Sequence, residues 1–258
     1  MITAVLAPFA GQRVPLGAFT VLMLVYAVAD GSHRYGPRTP ATLFVLAVLI
    51  GNVVEDLSIT TGFPFGTYHH TTGPKLFEVP VTVGPTYFAI SYVAWQVAEL
   101  LVPRSVSRRW IVPAVAAALA TMYDLTIDPV ASTVVGLWVW PRGGGFFGVP
   151  VSNFLGWLVS VFVVLVVFGL SQHRDMPRAT RPATGAERHA APLIYLSLGI
   201  AAVSGYLAAL RTPDRTVADG SGTQWSVHGV YEGCMVAGLV TVCPAALVAL
   251  AATRRRSR

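Results

Sequence analysis

Charge is scarce in this sequence. Of 258 residues only 12% are Asp, Glu, Lys or Arg, while 54% are hydrophobic; soluble domains carry about 25% charged residues. With a mean hydropathy of +0.61, the chain is not a large soluble core but a multi-span membrane protein. Cysteine is limited to Cys234 and Cys243. On one predicted helix, at roughly 100° per residue, they point to opposite faces and are not placed to pair. They suggest neither a metal site nor a redox compartment. No histidines show the H-x-x-x-H spacing common in zinc and iron sites. The opening residues Met1–Ala10 are apolar but lack a basic start and a small-residue cleavage site, so no signal peptide is expected. Lysine is nearly absent: Lys75 stands alone.

Long apolar runs are what the chain has instead. A spanning helix needs about 20 apolar residues. Seven candidates lie at 14–29, 40–54, 80–102, 110–123, 149–170, 191–210 and 229–252. The expected fold class is all-α: a polytopic integral membrane bundle of about seven transmembrane helices. It forms a single membrane domain over 1–258, with a motif-bearing core at about 40–170. Lys75 precedes the third run instead of sitting inside a late helix, which excludes a retinal Schiff base.

The net charge of +6 does not mark a nucleic-acid partner, because of where it sits. Thirteen of the 18 basic residues fall in alternate loops and the tail: Arg34 and Arg38; Arg104, Arg108 and Arg109; Arg174, Arg178, Arg181 and Arg188; Arg254, Arg255, Arg256 and Arg258. That is the positive-inside pattern with an odd number of helices, N-terminus outside and C-terminus cytoplasmic. The polar, proline-broken stretch 171–190 reads as a cytoplasmic loop dividing a five-helix core from two further helices. The basic tail suits a topology anchor near anionic lipid.

The opposite face collects acids: Glu55, Asp56, Glu78, Asp124, Asp128 and Glu232, with His228. By this topology only Glu99 sits near the other end of a span. Intramembrane acids are costly and usually face a cavity or a partner. Two long segments, 55–79 and 124–148, are rich in glycine and aromatics and suit loops that roof a polar pocket. In "MYDLTIDP", Asp124 and Asp128 share a face if the helix continues. Such a pair can share a proton, bind a divalent cation, or cap a helix end facing water. Pro129 favours the helix ending there. Glu55 and Asp56 are adjacent, so only one is expected to face the pocket. Tyr68, His69 and His70 suit either a metal site or an interfacial loop. "PRGGGFFG" lacks the Lys-Ser/Thr of a phosphate cradle and reads as a turn lined by Phe146 and Phe147. Trp138, Trp140 and Trp157 suit an interfacial belt, or π faces against a polyene or a carbocation.

Four stretches, "EDLSITTGFPFGTYHHT", "GPKLFEVPVTVGPTYFAISYVAW", "MYDLTIDPVAS" and "WVWPRGGGFFGVPVSNFLGW", together resemble a known membrane family. These are the bacterial and archaeal carotenoid-biosynthesis proteins that hydrate the ends of acyclic carotenoids, including the bisanhydrobacterioruberin and γ-carotene hydratases. The stretches span about two-fifths of the chain, from Gly51 to Trp157. The resemblance implies a lipophilic isoprenoid or carotenoid substrate, membrane lipid around the protein, and no organic cofactor. It also implies residence in the cytoplasmic membrane of a prokaryote. It leaves the oligomeric state open.

The implied chemistry is proton-initiated. A neutral carboxylic acid protonates a terminal isopropylidene double bond, and water held by a second carboxylate adds to the tertiary cation. Burial beside a like charge is how a carboxylic acid stays neutral near neutral pH. The catalytic candidates are Asp124, Asp128, Glu55, Asp56 and Glu78. Those expected to line the polyene end are Phe63, Phe65, Tyr68, His69, Trp138, Trp140, Phe146, Phe147, Asn153 and Trp157. If water is excluded, the same cation cyclises, which makes a cyclase the near alternative. The D-x-x-x-D spacing also admits a magnesium-dependent membrane prenyltransferase, the one reading that needs a metal. A non-enzymatic carotenoid or lipid carrier needs the groove but no acid pair. The arginine placement predicts that a C-terminal phosphatase fusion is inactive and a C-terminal fluorescent-protein fusion is bright; the reverse result contradicts the topology.

Overall fold

A computed structural model describes residues 16–103, 105–172, 177, 179–180 and 183–255. Met1–Ala10, and Arg13, Arg104, Arg174, Arg178, Arg181, Arg256 and Arg258 of the basic residues, lie outside that set. Among the described residues seven helical rods run back and forth between two ends. They are α1 (Leu16–Tyr35), α2 (Arg38–Thr61), α3 (Val83–Leu101), α4 (Arg108–Pro129), α5 (Val151–Ser171), α6 (Gly185–Ala209), and a last rod made of α7 (Val227–Ala237) and α8 (Cys243–Arg255). Five rods are long and apolar enough to cross a membrane: Arg38–Thr61, Arg108–Val134, Val151–Ser171, Gly185–Ala209 and Val227–Arg254. Large apolar side chains such as Val45, Leu49, Val53, Val159 and Val248 point outward from them, as lipid-facing surfaces require.

Helix α3 is the axis of the bundle. Every residue from Tyr87 to Ala98 is buried, so this rod meets protein all round. It can therefore carry Tyr87, Tyr92 and Gln96 where a lipid-facing helix would need aliphatic residues. The arginine end is tied by polar contacts between helix ends. Arg34 donates to Gln96 at 2.7 Å, Arg108 bonds Glu99, and His33 lies 3.4 Å from Glu187. Thr184 and Glu187 close a reciprocal capping box at the start of α6.

Three expectations change. Helix α2 does not stop at Glu55 and Asp56 but runs on to Thr61. It ends where Gly62 adopts φ 85° and returns its N–H to Ser58, a left-handed C-terminal turn that suits glycine. Pro129 does not end α4 either: Val130–Val134 continue as a π-helical turn. A proline deprives the ladder of one donor and crowds the carbonyl four residues back, and the wider turn follows directly. Glu99 is not the sole acid at the arginine end. Because α1 continues past Ala29, it carries Asp30 into the interior, where the Tyr92 hydroxyl donates to it at 2.6 Å.

Six short strands shape the other end. They are β1 (His69–His70), β2 (Lys75–Leu76), β3 (Val79–Pro80), β4 (Trp138–Val139), β5 (Thr216–Ala218) and β6 (Gln224–Ser226). Strand β1 pairs antiparallel with β4, setting His69 opposite Val139 and His70 opposite Trp138. The loops after α2 and α4 thereby close over the bundle as one roof. The β5–β6 hairpin is closed by Asp219, which accepts from Ser221, Thr223 and the Trp225 indole, and it rests on the roof where Asp219 lies beside Gly143 and Gly148 and Trp225 packs on Phe147. Burial opposes ionisation of Asp219, yet these donors outweigh it and hold its carboxyl below the usual carboxylate range.

The "PRGGGFFG" stretch proves to be a close-packed turn. A Cβ on Gly144 would stand 2.1 Å from the backbone at Val149 and Pro150, whereas one on Gly145 meets nothing within 4 Å. Overpacking costs about 1–3 kcal/mol, and backbone atoms do not swing aside. Gly144→Ala should therefore lower the melting temperature in detergent clearly, and Gly145→Ala should leave it near the parent value. Equal behaviour of the two variants would contradict this packing.

Candidate functional site

The site is built from the C-terminal turns of α2 and α4 and the N-terminal turns of α3 and α5. Asp124 and Asp128 lie one turn apart on the inner face of α4, 6% and 1% exposed. They share that face because the helix continues through Pro129. Across from them α5 presents Asn153. Its amide nitrogen donates to Asp124 Oδ2 at 2.9 Å and to Asp128 Oδ2 at 2.6 Å. One amide with two N–H groups thus spans both acids. The Trp138 indole donates to the remaining oxygen of Asp128, Oδ1, at 2.7 Å. Among the described residues no donor reaches Asp124 Oδ1.

Glu55, on the inner face of α2, forms the third corner. The Tyr87 hydroxyl donates to its Oε1 at 3.0 Å, and His70 Nε2 stands 3.9 Å from Oε2. That second distance is outside hydrogen-bond range, and the buried His70 Nε2 has no hydrogen-bond partner among the described residues. The His70 ring meets the Trp138 ring edge-on at 5.9 Å. His70 and Trp138 thus stand in line between Glu55 and Asp128, with a hydrogen bond only at the Trp138–Asp128 end.

Aromatic rings pack against the partners of these acids. Tyr87 stacks on Trp157 with centroids 4.5 Å apart and planes 10° apart, and Tyr68 contacts both His70 and Trp140. Stacked and edge-on faces of this kind suit a flat polyene and offer π density to a cation.

The structure thus gathers Glu55, Asp124, Asp128, Asn153, Trp138, Tyr68, Trp140 and Trp157. It does not gather the rest. Asp56 turns sideways on α2 and accepts the Glu78 backbone N–H at 3.4 Å; adjacent helical positions cannot share a face. Glu78 is an exposed loop residue, 4.0 Å from Lys75, and Phe63 is 69% exposed. Strand alternation turns His69 outward and His70 inward, so the inward histidine is not the one expected. Phe65 is buried against Gly156. Phe146 packs on Phe154 and Phe147 on Trp225, away from the acids. Tyr87 is not among the residues the sequence pointed to, and His70 is there only as part of a possible metal site with His69. The two-residue period of β1 carried the signal for His70 once the strand was known. Tyr87 in "GPTYFAISY" gave no sign beyond its place in a span. Among the described residues no group of three or more His, Cys, Asp or Glu side chains is arranged to hold a metal ion.

The family model for carotenoid biosynthesis proteins matches residues 13–213. The chain belongs to this family. A bisanhydrobacterioruberin hydratase from Haloarcula japonica is 28% identical over 134 residues, covering 51% of this chain and 45% of that protein. The chain thus aligns with less than half the length of this curated relative. No solved structure matches. The family places the acid cluster in a membrane protein of carotenoid biosynthesis.

A buried acid deprived of its donor destabilises a fold by about 1–3 kcal/mol. Tyr87→Phe keeps the stack on Trp157 but removes the donor to Glu55. It should lower the melting temperature in detergent, and the double variant Tyr87→Phe/Glu55→Gln should recover part of that loss. An unchanged melting temperature in Tyr87→Phe would contradict the assigned contact.

Proposed function

We propose that the protein hydrates a terminal double bond of an acyclic carotenoid or related polyprenyl chain, using Asp124 and Asp128 as its acid and base. The observation that carries this reading is the Asn153 bridge. It holds two buried carboxyls on one helix face, toward an aromatic enclosure, in a member of a carotenoid-biosynthesis family. A surface pair capping a helix end would need no such bridge.

The two acids are unequal, and their donors divide the roles. Both oxygens of Asp128 accept hydrogen bonds, from Asn153 and Trp138, and donors of this kind stabilise a carboxylate. Asp124 keeps Oδ1 clear of donors from the described residues and carries the proton. Its O–H bond breaks as a C–H bond forms at the less substituted alkene carbon. The tertiary cation left behind faces the rings of the enclosure. Water attacks it, a C–O bond forms, and the released proton passes to Asp128. Transfer of that proton back to Asp124 restores the starting pair. The sum is addition of one water, with no redox change and no organic cofactor. Glu55, held by Tyr87 beside His70, keeps the third corner polar and helps orient the water. The substrate and its lipid surroundings explain the position: the polyene lies among the apolar helices, and only its reacting end meets the acids. The setting proposed for this work is a prokaryotic cytoplasmic membrane, with the arginine end inside and seven membrane crossings.

Loss of a general acid or base costs about 100-fold or more in rate. In a host producing an acyclic carotenoid, the parent protein should yield product heavier by one water. Asp124→Asn and Asp128→Asn should abolish it at matched expression, while Glu78→Gln leaves it near the parent level. Near-normal product from both aspartate variants would remove the pair from the chemistry. A product of unchanged mass would point to cyclisation, and activity lost to a chelator and restored by magnesium would point to prenyl transfer.

A further inference from the structure

A cavity of about 280 Å³ lies at the roof end between the π turn, the loop after α4 and the hairpin, next to the acids but not among them. Its walls include Ser132 and Thr133 from the π turn, Trp138 and Trp140 from the second loop, and Ala218 and Asp219 from the hairpin. The cavity has room for several waters, and its lining supplies two hydroxyls and a carboxylate. Two of its walls are bonded to Asp128. Ser132 Oγ donates to the Asp128 carbonyl at 2.8 Å, and Trp138 Nε1 donates to the Asp128 carboxylate at 2.7 Å. Trp138 is half-buried, while Asp128 behind it is 1% exposed. Trp138 thus both lines the cavity and bonds the buried carboxylate.

We infer that this cavity is the water inlet of the hydration site, and that Trp138 is a positioning residue controlling how water meets the cation. The inference rests on the hydration reading and adds the route. Water gathers at the roof end, among Ser132, Thr133 and Asp219, and passes the edge of Trp138 to the Asp128 side. Asp128 is the group that takes the water's proton, so water arrives at its base first and the alkene reaches Asp124 from the apolar side. The separation has a chemical use. A cation that meets free water early is quenched before the alkene end is seated, and one that meets none cyclises or returns its proton. A ring fixed by a hydrogen bond to the base admits water in one orientation. The π turn belongs to the same device: it carries Ser132 and Thr133 out of helical register, to the cavity wall.

The test combines labelling with product analysis in the full chain. In a Cys234→Ala/Cys243→Ala background, Ser132→Cys should react with a small, charged methanethiosulfonate reagent applied from the roof side of sealed, oriented vesicles. Adding Ala218→Trp, which fills the cavity from the hairpin, should suppress that labelling. In the otherwise parental protein, Ala218→Trp should lower hydrated product at matched expression. Trp138→Phe keeps the ring and loses the hydrogen bond. It should cut hydration by about tenfold or more, the low end of what one hydrogen bond to a charged group carries, and raise the share of unhydrated product. Trp138→Ala should also raise that share while increasing Ser132→Cys labelling. An unlabelled Ser132→Cys in folded protein would overturn the inlet, as would unchanged hydration in both Ala218→Trp and Trp138→Phe. If the parental protein makes no hydrated product, the hydration reading fails, and the labelling still reports whether the cavity is wet.

Discussion

Two carboxyls one helical turn apart, buried in a bundle that faces lipid, are costly unless something holds them. Here the holder is the side-chain amide of Asn153, which gives one N–H to each acid. Much of the architecture at this end follows from that arrangement. Helix α4 must continue past Pro129 so that Asp128 stays on the face of Asp124. Helix α5 must start with Asn153 near its first turn. The loop after α4 must return Trp138 to the second oxygen of Asp128. That return brings β4 alongside β1 and places His70 near Glu55. The close glycine turn at 143–145 and the hairpin anchored by Asp219 then hold the roof in place.

The two ends of the bundle solve different problems with similar residues. At the arginine end, Asp30, Arg34, Gln96 and Tyr92 form a polar tie between α1 and α3 in which opposite charges are present. At the roof end, among the described residues, the buried acids gather with no arginine or lysine bonded to them; Lys75 reaches the His70 carbonyl and Glu78 instead. Neutral donors from Asn, Trp and Tyr do the holding. A cation bonded to these acids would fix them as carboxylates, which suits a structural tie and not a proton donor. The contrast in partners, more than the number of acids, distinguishes a site from a scaffold.

Much of this was legible in the residues. Hydropathy located all seven rods, and the five long apolar helices fall within that reading. The i, i+4 spacing put Asp124 and Asp128 together, and Asn153 was expected at the polyene end of the same site. What escaped were features set by contact between distant segments. Glu78 and Asp56 carry the same charge and lie at the same depth as the buried acids, and composition cannot tell an exposed loop acid from an inward one. His69 and His70 could be separated only through the β1–β4 register, which is a long-range pairing. Asp30 was hidden because apolar runs mark where hydropathy falls, not where a helix ends. Pro129 misled for a related reason: a local rule about proline gave way to a π turn stabilised by the loop and hairpin around it.

The account turns on a proton and a water both coming from solvent through a carboxyl pair. The most direct test is a reaction of the purified protein, in detergent or lipid and without added nucleotide or reductant, on an acyclic carotenoid in heavy water. The account predicts a tertiary alcohol with one deuteron fixed on the carbon next to the carbinol. With oxygen-18 water it predicts the label in the hydroxyl. A hydroxyl oxygen drawn from dioxygen, or an alcohol with no carbon-bound deuterium, would contradict it.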